Sequence, residues 1–318
     1  ALDYNEQLSF KELMANWSKV SISIKKLRDN PLDAEQEEKS YHDKETNILK
    51  QHINFLIPKR IDNFSKPSLA VIREQGVNGH TEMAAAFSTA GFEVTDIHMN
   101  DLLSQKFNLK DFQGIIFPGG FSFGDVLGAG KGWANFILNN SLLKNQFEEF
   151  FSKKESFSLG VCNGCQVLSN LKEIIPGTDN WPKLKNNSSG QFEARLAQIK
   201  IFKSNSLLFD DMEDSQLLVP VAHGEGKMIF SNPEKVSKNN QLVMSYVDTA
   251  GNQTESYPGN PNGSDKGITG ICSEDGKVTI MMPHPERAFL NAQLSWTDLG
   301  DKGFSPWIKM FHNARKYF

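Results

Sequence analysis

Apolar residues recur every three or four positions at the start of the chain and bunch into short runs further on. Phe10, Leu13, Met14, Trp17, Val20, Ile24 and Leu27 form one stripe, which predicts a helix within residues 1–30. Ser9 suits an N-cap, with Glu12 three residues on, and Asn30-Pro31 reads as a stop. A stripe this long needs a surface: the domain that follows, or a region beyond this chain. Residues 32–52 carry Asp33, Glu35, Glu37, Glu38, Lys39, Asp43, Lys44 and Glu45 and predict a solvated helix. Residues 53–67, ending Phe64-Ser65-Lys66-Pro67, read as a linker.

From Ser68 short apolar runs alternate with amphipathic stretches. Leu69–Ile72, Phe92–Ile97 and Gly114–Phe117 predict strands. Met83, Ala84, Phe87 and Ala90 predict a helix ended by Gly91. Trp133–Leu138 and Leu142–Phe151 predict two more. Continuous apolar strands alternating with helices mean a parallel sheet covered on both faces. After Pro176 the runs Glu193–Phe202, Leu217–Ala222, Lys227–Phe230 and Gln241–Val247 follow without long helices between them. Gly267–Cys272 and Lys277–Met282 flank a hairpin turn at Asp275-Gly276. A last helix is expected over Pro306–Tyr317. The expected fold is α/β: a doubly wound, mostly parallel sheet with helices on both faces, preceded by a helical segment and linker over residues 1–66. The main domain is expected over 67–318.

Composition narrows the function. A net charge of −4 gives no basic patch for nucleic acid, and no apolar run approaches a membrane span. Three cysteines, Cys162, Cys165 and Cys272, cannot make a disulfide framework. A cytoplasmic location is expected. The chain opens on Ala1 rather than Met, which points to a fragment or a processed polypeptide.

The chemistry centres on Ser158–Gln166. A short apolar strand (Phe157, Leu159, Val161) breaks at Cys162 into a helix (Val167, Leu168, Leu171). Gly160-Val-Cys162-Asn-Gly164 has the spacing of a nucleophile elbow, where a strained strand-to-helix turn exposes the nucleophile. The helix N-terminus offers free N–H groups and favours a thiolate. Taken alone, the pentapeptide equally fits a buried cysteine between packing glycines. A nucleophile needs a base, and the base needs an orienting group. His284 follows an apolar strand and is held extended by Pro285, so Glu286 can lie on the same side. Imidazole and carboxylate can then act as base and orienter. Oxyanion donors are also needed. Pro118-Gly119-Gly120 ends a strand at the sheet's carboxyl edge, where sites form. The glycine N–H groups of this loop and the Asn163 N–H are the candidates. Gly128-Ala-Gly130-Lys131-Gly132 misses the phosphate-loop spacing, having Asp125 and Gly132 at the required positions. It reads as a close-packed loop. Cys162-Asn-Gly-Cys165 as a redox pair leaves His284 and Glu286 unexplained, and no zinc ligand set lies nearby. His223, in His-Gly-Glu-Gly226, reads as structural. Tyr257–Gly263 reads as a rigid loop able to cover a pocket.

These motifs together resemble the class I (triad) glutamine amidotransferases. Arg73-Glu-Gln-Gly-Val-Asn-Gly79, Phe117-Pro-Gly-Gly-Phe-Ser-Phe-Gly-Asp125, His223-Gly-Glu-Gly226 and Met282-Pro-His-Pro-Glu-Arg287 narrow the likeness. They resemble the glutaminase domains of the phosphoribosylformylglycinamidine synthases. The resemblance covers residues 68–318, with Trp307–Arg315 extending it to the C-terminus. Leu27-Arg-Asp-Asn-Pro31 is similar to the tail of the synthase region in single-chain members, although Leu32-Asp33 departs from the cysteine-containing stretch expected there.

The resemblance implies a triad of Cys162, His284 and Glu286 that hydrolyses L-glutamine through a Cys162 thioester. It implies an oxyanion hole from Gly120 and Asn163, and substrate contacts from Gly119, Gly120 and Gln166. The ammonia is expected to pass to a synthase region of the same polypeptide, absent here, in purine biosynthesis. No metal or cofactor is expected on this chain; ATP and Mg2+ belong to the synthase region. Two other readings are a cysteine hydrolase or peptidase on a related fold, and a catalytically silent docking domain.

Overall fold

The computed structural model describes residues 9–42, 49–58 and 66–318. Parts of the expected N-terminal helix, the charged segment (Asp43, Lys44, Glu45) and the linker lie outside the described residues. Helix α1 (Phe10–Arg28) begins in a capping box: Ser9 Oγ accepts from the Glu12 N–H, and the Glu12 carboxylate accepts from the Ser9 N–H. Asn30-Pro31 does more than stop α1. Asn30 Oδ1 accepts from the Leu32 N–H, and Pro31 opens α2 (Pro31–Ser40), where its missing N–H costs nothing.

The strands and helices then run β1 (Ser68–Arg73), α3 (His80–Thr89), β2 (Glu93–His98), α4 (Met99–Leu103), β3 (Gly114–Phe117), α5 (Lys131–Leu138), α6 (Ser141–Ser152), β4 (Phe157–Val161) and α7 (Asn163–Asn170). After these come β5 (Lys183–Lys185), β6 (Glu193–Ile201), β7 (Gln216–His223), β8 (Lys227–Ile229), α8 (Pro233–Lys238), β9 (Leu242–Tyr246), β10 (Ile268–Cys272), β11 (Val278–Met281) and α9 (Ile308–Lys316). Nine strands form one sheet in the order β2-β1-β3-β4-β11-β10-β9-β6-β7, and β5 pairs with β8 apart from it. From β2 to β11 every pairing is parallel; from β11 to β7 every pairing is antiparallel.

The parallel half is buried on both faces, as its continuous apolar runs require. Phe157 on β4 meets Phe87 of α3, which meets Phe311 of α9. Phe117 on the neighbouring β3 meets Trp133 of α5 and Phe147 of α6. Strands β1, β3, β4 and β11 point the same way, so the residues after Arg73, Phe117, Val161 and Met281 gather at one edge.

The N-terminal segment docks on the antiparallel half. Asn30 Nδ2 donates to Ser188 O, Ser188 Oγ donates to Asp33, and the Tyr257 N–H donates to Gln36. His52 and Gln216 exchange backbone hydrogen bonds of 2.8 and 2.7 Å. The stripe of α1 does not follow. Phe10, Leu13, Trp17, Val20, Ile24 and Leu27 all lie exposed, Trp17 at 89%. Ile22 is buried and Met14 half-buried, Met14 lining a cavity with Tyr41, Arg195 and Tyr257, so of the stripe the following domain meets Met14 and leaves the exposed residues uncovered. Among the described residues no helix is long and apolar enough to cross a membrane.

Candidate active site

Strand β4 ends at Val161, and the chain turns directly into α7 at Cys162. Cys162 takes φ 53° and ψ −108°. A non-glycine residue in that region costs about 1–3 kcal/mol and persists only where its surroundings fix it. Here they do: the Cys162 N–H donates to Met281 O of β11, and Cys162 O accepts from the Gln166 N–H. The glycines leave the turn its room. A Cβ at Gly160 would lie 2.6 Å from Gly164 O, and one at Gly164 would overlap Phe117 O.

Strand β11 delivers the second element. Beyond it His284 and Glu286 are both buried, with Nδ1 and Oε1 2.6 Å apart. Burial alone would lower the proton affinity of His284. The Glu286 carboxylate and Cys162 overcome it and push the pKa up to about 10. Gly119 packs against both partners: a Cβ there would lie 2.8 Å from His284 Cε1 and 3.4 Å from Cys162 Cβ. Cys162 Sγ lies 3.6 Å from Ala222 O, and Cys162 is also near enough to His284 to raise its pKa.

The loop after β3 is anchored to the loop after β1. Gly119 O accepts from the Asn78 and Gly79 N–H groups, and the Phe121 N–H donates to Gly76 O. Gly120 therefore faces Val77 in a pair without mutual hydrogen bonds, and its own N–H points away from that partner. Gly120 has φ +150°, and a Cβ would lie 2.6 Å from Val77 Cα. The Asn163 side chain ties these loops to the nucleophile turn. Its Oδ1 accepts from the Ser122 N–H, and its Nδ2 donates to Asp125 and to Gln166 Oε1.

The remaining wall comes from the outer edge of β7. Its outward carbonyls are all taken: Leu218 O by Trp307 Nε1, Pro220 O by the His284 N–H and Ala222 O by the Cys162 thiol. Proline within a strand marks an edge, and Pro220 is the sequence signal that could have placed β7 there. Beyond β7, Gln166 Nε2 donates to Glu225 O at 2.6 Å, and Glu225 accepts from the Ala129 N–H. The loop over Tyr257–Gly263 lines a cavity with Tyr257, Pro258 and Gly259 and supports this corner with its far end. Asn262 is fully buried and donates to Gly226 O and to the His223 ring.

The comparisons with known proteins identify the family. A model of the CobB/CobQ-like glutamine amidotransferase domain matches residues 66–318. The chain belongs to this family. The PurLQS structure from Thermotoga maritima is similar at 26% identity, covering 80% of this chain and 99% of that one, with a TM-score of 0.62. A glutamine amidotransferase from the same organism is 18% identical over 70% of this chain and 77% of its own, with a TM-score of 0.42.

Within this amidotransferase domain the structure brings together Cys162, His284, Glu286, Gly119, Gly120 and Asn163, drawn from three separate strand ends. Gln166 is adjacent, but its side-chain amide is engaged with Asn163 and Glu225. The Gly128–Gly132 loop packs closely, as expected: a Cβ at Gly130 would lie 2.7 Å from Val167 N. Cys165 is a free thiol, fully buried, and burial pushes its pKa well up. Sequence reasoning missed the β7 carbonyls and the Asp125–Asn163 and Glu225–Ala129 links, because no local pattern marks which backbone meets which loop. Among the described residues no group of His, Cys, Asp and Glu has the arrangement of a metal site.

Proposed function

We propose that this chain hydrolyses L-glutamine to glutamate and ammonia through a thioester on Cys162. The observation that carries the reading is Cys162 at a positive-φ turn beside the His284–Glu286 pair, with Gly119 packed against both, in a chain of the amidotransferase family. Cys162 attacks the side-chain amide carbon. The Gly120 and Asn163 N–H groups hold the oxyanion; Asn163 opens α7, where helix N–H groups lack intrahelical partners. His284 takes the Cys162 thiol proton and gives it to the leaving nitrogen, ammonia departs, and His284 then takes a proton from the water that opens the thioester and returns it to the sulfur. Glu286 fixes the ring through Nδ1, which leaves Nε2 for these transfers. Gly119 and Gly120 form the floor under the amide. Gln166 serves the substrate through the 223–226 loop that it pins.

In this reading the ammonia passes to a synthase region that converts formylglycinamide ribonucleotide to phosphoribosylformylglycinamidine with ATP and Mg2+. The whole is a cytoplasmic ligase of purine biosynthesis. Residues 1–66 close that synthase region, and 67–318 are its glutaminase. The resemblance of the Arg73–Gly79, Phe117–Asp125 and Met282–Arg287 motifs supports this. The test is treatment with a glutamine-mimicking diazoketone, with adducts mapped by mass spectrometry. Labelling of Cys162 alone, blocked by glutamine and lost in His284→Ala, is expected. Labelling that glutamine does not block would overturn glutamine as the substrate.

A further inference from the structure

The loop that follows Gly120 holds an unusual shape without burying its side chains. Phe123, Gly124 and Asp125 take φ of 53°, 62° and 52° in succession. Residues other than glycine seldom enter this left-handed region, and they stay there only where their surroundings fix them. Burial does not fix them here: Val126 is 84% and Leu127 65% exposed, and Phe121 and Phe123 are exposed as well. Polar ties do. The Phe121 and Phe123 N–H groups donate to Gly76 O and Gln75 O, which holds the loop to its neighbour after β1.

The tie to the nucleophile helix α7 runs through side chains. Asn163 is fully buried, and both atoms of its amide are engaged. Oδ1 accepts from the Ser122 N–H at 3.2 Å, and the two hydrogens of Nδ2 go to Asp125 Oδ1 at 3.1 Å and Gln166 Oε1 at 3.0 Å. The Asp125 carboxylate can only accept, so it sets which way this amide faces. Turned over, Asn163 would aim its oxygen at that carboxylate and its N–H at the Ser122 N–H. Burial raises the pKa of the Asp125 carboxyl, the Gly130 N–H and Asn163 lower it, and Glu225 raises it; the net shift is upward. The charge is thus kept half-buried at a cost, where a neutral Asn or Ser would serve an ordinary turn.

We propose that Asp125 is a positioning residue for the reaction: through the Asn163 side chain it holds the Gly120–Ser122 segment, and with it the oxyanion donor of that loop, in place beside Cys162. Asp125 itself stays outside the reaction. Its effect falls on the step in which charge gathers on the amide oxygen, because a donor aimed at developing charge loses much of its value when displaced.

The proposal rests on the amidotransferase reading, and the experiment separates the two. In the full chain, steady-state glutamine hydrolysis is compared with the rate at which iodoacetamide alkylates Cys162, followed by mass spectrometry. Alkylation displaces iodide from carbon and forms no oxyanion, so it reports the thiol alone. Asp125→Ala is expected to lower kcat about 10- to 100-fold, with KM and the alkylation rate within about twofold of the parent. Asp125→Asn keeps an acceptor facing Asn163 and is expected to recover most of kcat. Asn163→Ala keeps that residue's backbone N–H and removes the tie; adding Asp125→Ala to it should cost little more, since both act on one contact. Alkylation that slows in step with kcat overturns the proposal, because the nucleophile turn as a whole is then disturbed. Full kcat in Asp125→Ala overturns it too, as do losses that multiply in the double variant. In each of these cases, diazoketone labelling of the parent that glutamine blocks leaves the amidotransferase reading standing. A parent chain that hydrolyses no glutamine and takes no diazoketone overturns both.

Discussion

The parallel half of the sheet brings the reacting side chains and the glycine loop to the site; the antiparallel half brings the carbonyls of β7. Cys162 and His284 follow β4 and β11, and Gly119 follows β3, all at carboxyl ends that the parallel arrangement gathers. Strand β7 contributes Pro220 O to the His284 N–H and Ala222 O to the Cys162 thiol. The difference follows from hydrogen-bond topology. Strands interior to the parallel half spend their backbone groups on neighbours, so only the loops beyond them are free. The terminal strand of the antiparallel half has one unpaired edge, which is a liability until something covers it. Here His52 and Trp307 cover its first half and the catalytic loops the rest, so closing that end of the edge and fixing the site are one act.

The largest break is expected on the side-chain half. Cys162→Ala should abolish glutamine hydrolysis, a loss on the order of 10⁴-fold or more, with the fold retained by circular dichroism. Hydrolysis persisting in that variant would remove Cys162 from the mechanism. Gly119→Ala comes next. Its methyl would press on His284 Cε1 and Cys162 Cβ, and displacing either by a fraction of an ångström should lower kcat on the order of 10²-fold. A wild-type kcat would show that the loop yields freely.

The pH dependence of stability sharpens the comparison, since the two histidines pull oppositely. His284 in the parallel half is raised to about 10 against an ordinary 6.5. Its stabilisation is complete below about 6.5 and is lost as pH rises toward 10. His223 in the antiparallel half is lowered to about 3 by burial and by the charge of His284. Below 6.5 the unfolded chain binds the proton that the folded chain refuses, so stability falls as pH drops. Stability should therefore peak near pH 6.5, with limbs of up to about 1.4 kcal/mol per pH unit. Urea midpoints across pH check this: His284→Gln should flatten only the alkaline limb and His223→Asn only the acid one. A variant that flattens the wrong limb reverses the assignment.

Smaller effects should spare the chemistry. Trp307→Phe leaves Leu218 O on the covered edge without its donor, which should cost about 1–3 kcal/mol while Cys162 labelling changes less than twofold. A larger change in labelling would mean that the edge acts as one unit from Trp307 to Ala222. Ser9→Ala removes the cap of α1 and should cost about 1 kcal/mol of local helix stability, seen by hydrogen exchange in α1 alone.

Much of the first half of this comparison was legible in the chain and little of the second. The strand–turn–helix at Cys162, the strand end at Gly119 and the capping box at Ser9 each depend on residues a few positions apart. Turn chemistry and hydrophobic period are sufficient to read them. Asn30-Pro31 was legible as a boundary, although it opens a helix as well as ending one. The exposed stripe of α1 shows the limit of periodicity, which identifies an apolar face without saying what lies opposite. The sequence by itself marked the strand-to-helix break at Cys162 and allowed His284 and Glu286 to face one way, because both depend on residues a few positions apart. Only the tertiary structure decided that the free edge of β7 would run past them. It also decided that Asn262 would meet the His223 ring and that Gln166 would be drawn to Glu225. Those contacts join residues from about 40 to 60 or more positions apart, and they exist only once long-range strand pairing has placed them together.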